Sequence, residues 1–196
     1  MKNNIETRTT DGTVEVNDRH VSGYAVIFDT DSVDLGGFTE TIRRGAITDE
    51  TINGSDILCR LNHSDSKVYA RSKYGNGSLK LTVDNIGVRY EFDAPNTDAG
   101  NELLEYLRRG DISASSFAFS IDPEDPEAEK WLNRGDGDYH REIYKISALY
   151  DVSPVFHPAY PATSCEATAK RFADVKATAD EIFKLNDIYL QDIENL

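Results

Sequence analysis

Polar and apolar positions change period several times along this chain. From Val21 to Asp29, "VSGYAVIFD", β-forming residues alternate loosely, as in a half-buried strand. A Gly-containing loop, "DSVDLGGFTETI", leads into "RRGAI", and "SDILCRLNHS" (Ser55–Ser64) is the next strand candidate. The clearest pattern follows. Leu79, Leu81 and Val83 alternate with polar residues, "DNIG" supplies a turn, and Val88, Tyr90 and Phe92 alternate again, which predicts a β-hairpin. The period then lengthens. In "NTDAGNELLEYLRRG", Leu103, Leu104 and Leu107 recur at helical spacing. Asn96, Thr97 or Asp98 caps the start, Arg108 and Arg109 suit the C-terminal dipole, and Gly110 stands where a left-handed residue ends a helix.

A strand, "SASSFAF", emerges from that glycine. The acidic stretch Asp122–Tyr139, rich in Pro and Gly, reads as an exposed excursion. Strand character returns with Ile143, Ile146, Leu149, Val152 and Val155, and Pro154, Pro158 and Pro161 then break the chain. From Ser164 onward Phe172, Val175, Ala179, Ile182 and Phe183 recur at three- and four-residue steps. The pattern predicts an α+β chain, mostly β, with one internal helix and a helical C-terminal tail. Three segments result: an N-terminal segment 1–20, a body 21–163 and the tail 164–196.

Composition narrows the class. The 196 residues suffice for one compact domain with a core. Mean hydropathy is −0.53 and no apolar run reaches the length of a membrane span, so no membrane partner is expected. The start, "MKNNIETRTT", lacks the apolar stretch of a secretory signal, and the cytoplasm is the expected compartment. A net charge of −14 argues against a general nucleic-acid grip, which needs a basic face. The two cysteines, Cys59 and Cys165, form no C-x-x-C pair, so neither a disulfide framework nor a zinc ribbon is expected. "GNG" and "GDG" are turns and do not resemble a phosphate loop.

Three features carry candidate chemistry. His63 follows a strand in "LNHSDS", where a firm backbone ends and a side chain reaches the rim; that suits a general base. The cluster Ser113, Ser115 and Ser116 is unusual in a strand, either as small packing residues or as a nucleophile. Alternation puts Ser113 and Ser115 on one face and Ser116 on the other, without saying which face matters. Asp151 lies in an apolar strand, where a charge is costly unless paired; a histidine partner or a solvent-facing edge would each explain it. Cys59 and His63, if in one strand, are about 13 Å apart, too far for a thiolate–imidazole pair. His63 with Asp65, or His20 with His157, lacks metal-ligand spacing, so no metal is expected.

Five blocks in order, "GYAVIFD", "SVDLGGFTETIRRGAI", "LNHSDSKVYARS", "LRRGDISASSFAFS" and "LYDVSPVFHPAYPAT", resemble the prohead (capsid maturation) serine proteases of tailed bacteriophages, relatives of the herpesvirus assemblins. The resemblance runs from about Gly23 to Thr163. It implies an assemblin-like closed β-barrel with peripheral helices, and a protease domain over 21–163. It implies His63 as base and Ser116, directly before "FAF", as nucleophile. Asp151 matches a position that is usually Glu, and "FAF" replaces the more usual "FGF". Assemblins use a second histidine as third member, which keeps His157 and His140 as rivals to Asp151, and Ser115 as rival to Ser116. The amides of Phe117, Ala159 and Tyr160 are candidate oxyanion donors. The family implies no cofactor. Its substrates are scaffold segments and the major capsid protein inside the immature capsid in the host cytoplasm, with self-processing and a homodimer or higher oligomer as further expectations. The alternative is a non-enzymatic scaffold or capsid-interacting protein on the same fold.

Overall fold

A computed structural model of the chain describes residues 5–10, 14–135, 137–156, 168, 170–179 and 181. The elements run β1 (Glu6–Thr10), β2 (Glu15–Asn17), β3 (His20–Ile27), β4 (Phe38–Ile42), α1 (Asp49–Asn53), β5 (Asp56–Arg60), a 3-10 turn (Leu61–His63), and β6 (Val68–Lys73). They continue β7 (Asn76–Gly77), β8 (Lys80–Val83), β9 (Gly87–Asp93), α2 (Asp98–Arg109), β10 (Ala114–Ser120), β11 (Glu129–Asn133), β12 (Tyr139–Ile143), β13 (Ala148–Val155) and a helix α3 over 170–179.

Local chemistry explains the best-read elements. In the β8–β9 hairpin Leu81 faces Tyr90 and Val83 faces Val88, as the alternation predicts. The Asp84 carboxylate closes the turn by accepting from the amides of Ile86 (2.7 Å) and Gly87 (2.9 Å). Gly87 must stay small, because a Cβ there would lie 1.9 Å from the Val26 carbonyl oxygen on β3. Helix α2 starts at Thr97, whose side chain accepts from the Gly100 amide, and ends at Gly110 with φ 75°. It buries Leu103, Leu104 and Leu107.

The strands form three sheets among the described residues. One has six strands in the order β1-β10-β13-β5-β6-β7; one has three, β11-β12-β4; one has four, β2-β3-β9-β8. The apolar core lies between them, with Val21, Tyr90, Leu103, Phe119, Ile143 and Leu149 all buried. The mostly β reading stands, with helices α1, α2 and α3 around it. The closed barrel does not appear as one hydrogen-bonded ring, since pairing stops at the sheet boundaries.

Other expectations are corrected. Asp122–Tyr139 is not purely an exposed excursion, because its Glu129–Asn133 stretch is β11, paired with β12. Trp131 on it rests against Phe38, which gives the strand an apolar anchor the acidic composition hides. Pro154 does not break the chain; it lies inside β13, whose ladder with β5 pairs only Asp151 with Leu58. Beyond that pair the strand has no β5 neighbour for a missing N–H to disrupt. Residues 6–10 join the large sheet as β1, on the outer side of β10. The tail helix packs as its periodicity suggests: Phe172, Val175 and Ala179 lie against Leu35, Phe38 and Tyr139. Ile182, Phe183, Pro158 and Pro161 lie outside the described residues.

Candidate active site

Three neighbouring strands and one turn build the site. β10 runs between β1 and β13, and Ser116 faces Thr9 on one side and Ser153 on the other. Asp151 is on β13, opposite Ala118. His63 ends the turn that follows β5, the strand beside β13. That turn is tight. Asn62 has φ 49° and His63 φ 61°, left-handed conformations that L residues adopt at a cost. The Asn62 side-chain oxygen accepts from the Phe156 amide at 3.1 Å, which ties the turn to the end of β13. The strained backbone is thereby held, and it aims the imidazole back over the sheet.

The side chains meet in a continuous chain. His63 Nδ1 lies 2.7 Å from Asp151 Oδ1, and His63 Nε2 lies 2.7 Å from Ser116 Oγ. The Asp151 carboxylate is completely buried, and it also accepts from Ser153 Oγ at 2.9 Å and from the Arg60 guanidinium. Burial alone would raise its pKa, but the bonds from His63 and Arg60 outweigh that and hold the carboxyl below its ordinary value. Asp151 is therefore an anion at neutral pH, and it requires N–H on Nδ1. That tautomer leaves Nε2 of the neutral ring as an acceptor facing Ser116.

Ser116 has a second acceptor. Its Oγ is also 2.7 Å from the main-chain oxygen of Arg8 on β1. One hydroxyl proton therefore has two places to go, His63 Nε2 or the Arg8 carbonyl. Ser116 itself is fully buried, whereas the His63 side chain is 28 % exposed and is the part of the constellation that meets solvent.

The two serines left open by alternation separate clearly. Ser115 points into the core, where its hydroxyl is 2.9 Å from Tyr90 OH. Ser113 precedes β10 and is exposed. His140 is far from this arrangement in bonding terms: it is buried on β12, with Nδ1 2.7 Å from Thr39 Oγ1 and Nε2 3.0 Å from Thr41 Oγ1. Both its nitrogens are taken. Phe117 sits mid-strand with Arg8 and Val152 as its register partners, so its amide lies within the sheet. His157, Ala159 and Tyr160 lie outside the described residues. No three His, Cys, Asp or Glu side chains come together as a metal ligand set among the described residues.

Sequence reasoning missed Arg60, Ser153 and Asn62. Ser153 carried a usable signal, since it shares a strand face with Asp151 at the i, i+2 spacing. Asn62 and Arg60 stand beside His63 in "RLNH", but nothing in the pattern marks them as its supports.

The arrangement can perform acyl transfer: a hydroxyl, an acceptor imidazole and a buried carboxylate in hydrogen-bonded series. Among solved structures, the chain is similar to the bacteriophage T4 capsid assembly protease, gp21, at 14% identity and a TM-score of 0.49, over 81% of this chain and 100% of that one. No curated protein matches. Residues 3–178 match the profile of the Caudovirus prohead serine proteases. With that match spanning most of the sequence, the chain belongs to the Caudovirus prohead serine protease family.

Proposed function

We propose that this chain is a serine endopeptidase with Ser116 as nucleophile, His63 as general base and Asp151 as the residue that orients His63 and balances its charge. The unbroken Asp151–His63–Ser116 series, with two contacts of 2.7 Å, carries the reading. Ser116 Oγ attacks the carbonyl carbon of a peptide bond as His63 Nε2 takes its proton. The main-chain oxygen of Arg8 cannot serve instead, because an amide oxygen is not a base at neutral pH. The resulting imidazolium is stabilised by Asp151 and then gives the proton to the departing amine nitrogen as the C–N bond breaks. Water, deprotonated by His63, attacks the acyl-enzyme; the ester bond breaks and Ser116 recovers its proton. The oxyanion needs donors placed in advance. The amides of Ala159 and Tyr160 are the favoured candidates, since that of Phe117 lies in the sheet.

The substrates in this reading are scaffold segments and the N-terminal region of the capsid protein, cut inside the immature capsid in the host cytoplasm, with cleavage of the chain itself as a further step. The 21–163 body carries the chemistry on an assemblin-like core, and the acidic surface suits basic substrate segments. Co-expression with the capsid protein of the same phage tests this. Ser116→Ala and His63→Ala abolish cleavage, while Ser115→Ala retains it; mass spectrometry of the capsid protein reads the outcome. Cleavage that survives in Ser116→Ala sinks the assignment, and no cleavage by any form favours the non-enzymatic scaffold.

A further inference from the structure

The acid of the series does not stand alone, and the group that holds it comes from the strand that leads into the base's turn. Arg60 is the last residue of β5, three before His63. Its guanidinium reaches two carboxylates. One Nη donates to Asp151 Oδ2, the other to Asp65 Oδ1. Asp151 Oδ1 is left for His63 and Ser153. The two oxygens are thus divided, with the cation on one and the imidazole on the other. Asp65 lies just past His63 in the same β5–β6 connection, and its side chain is 89 % exposed. The Arg60 side chain is only 15 % exposed, and among the described residues its Nε has no partner, so the two carboxylates fix where the guanidinium sits.

Two physical effects follow. A carboxylate with one bonded oxygen can turn about its Cβ–Cγ bond; with both oxygens bonded from fixed directions it cannot. The plane of Asp151 therefore sets the direction of the His63 Nδ1–H bond, and with it the aim of Nε2 at Ser116. The second effect is electrostatic: Asp151 is completely buried, and the bonded Arg60 guanidinium offsets its negative charge and helps hold the carboxyl below its ordinary value.

We propose that Arg60 is a positioning residue of the reaction, locking the plane of Asp151 and balancing its charge so that His63 is aimed at Ser116. It touches no reacting atom. The inference rests on the Ser116–His63–Asp151 reading, and its test separates the two.

The full chain, labelled with 15N-histidine, is compared by NMR as wild type, Arg60→Gln, Arg60→Lys and Asp151→Asn, with melting curves alongside. The readout is the His63 Nδ1–H proton, identified by its loss in His63→Ala. In wild type it stands far downfield, as for an N–H bonded to a carboxylate, and Asp151→Asn removes it. In Arg60→Gln it broadens or moves upfield, and Arg60→Lys recovers part of it, since an ammonium keeps the charge but not the fork. Phosphonylation of Ser116 by a fluorophosphonate, read by intact mass, slows in Arg60→Gln by about 10- to 100-fold, the scale of a misaimed catalytic group. A resonance and a rate both unchanged in a folded Arg60→Gln overturn the proposal. If Arg60→Gln does not fold, Asp65→Asn carries the test, because Asp65 is exposed: the resonance broadens and phosphonylation slows, and unchanged values are again decisive against it. If Asp151→Asn keeps the wild-type resonance, the Asp151–His63 pairing is what fails.

Discussion

Two serines separated by one peptide bond have opposite surroundings here, and that difference sets what each substitution does. Ser115 shares a hydrogen bond with Tyr90 in the core. Ser115→Ala leaves the buried Tyr90 hydroxyl without its partner and costs about 1–3 kcal/mol, measurable by urea denaturation, with cleavage retained. Ser116→Ala should show the reverse, with lost cleavage and little change in the denaturation midpoint. The sequence reaches this pair only through a resemblance, because alternation separates the two faces without identifying the inner one. Tyr90 identifies it in the structure: a hairpin residue far away in sequence decides that Ser115 points inward. Asp151 was only half legible. A carboxylate in an apolar strand called for either a partner or a solvent-facing edge, and the structure buries it with His63 at 2.7 Å. Arg60 escaped notice because an arginine at a strand end is ordinary, and only the approach of β13 turns it into a ligand of Asp151.

Elements with strong local signals formed as read, and those defined by long-range contacts did not. Helix α2 has both its caps in its own sequence. Gly110 holds φ 75°, and a Cβ added there would meet nothing within 4 Å. Gly110→Ala therefore meets no clash and costs only the left-handed backbone, about 1–2 kcal/mol, which a thermal melt will register. Strand β11 has no such local signal. It forms because β12 offers an edge and Phe38 offers Trp131 a ring to rest on, contacts that acidic neighbours obscure. Helix α3 is held by the same aromatic cluster, since the Phe172 ring lies 5.2 Å from that of Phe38, 5.7 Å from Trp131 and 5.3 Å from Tyr139. Arg171 adds a bond of 2.9 Å to Glu6. Phe172→Ala should release α3 from the body while leaving β10 and β13 intact. Hydrogen exchange would then rise over 170–179 alone; protection that persists there would mean that other contacts hold the helix.

A buried ionic network joins the six-stranded sheet to the three-stranded one. Arg141, fully buried, bonds Glu6 and Glu40 at 2.6 Å each, and Arg8 bonds Glu40 at 2.8 Å and Glu6 at 2.8 Å. Desolvation would raise the Glu6 pKa, but Arg141 and Arg8 more than offset it and hold it at about 2, against an ordinary 4.5. The folded value is the lower one, so Glu6 stabilises the fold fully above the unfolded value. That contribution is lost as pH falls from about 4.5 through about 2. Asp151, also held low, adds to the same trend. Denaturation midpoints should therefore drop through this window, and Glu6→Gln should flatten the drop while lowering stability at neutral pH. Arg141→Met strands buried carboxylates and should cost about 3–5 kcal/mol. The order of strands has a consequence in time as well. The strand that carries Ser116 is flanked by β1, from near the start of the chain, and by β13, from beyond residue 147. A polypeptide still being synthesised holds Ser116 before it holds Asp151. In the proposed reading the site is therefore incomplete until β13 has been made and docked, and a growing chain would have no working site with which to cut its neighbours.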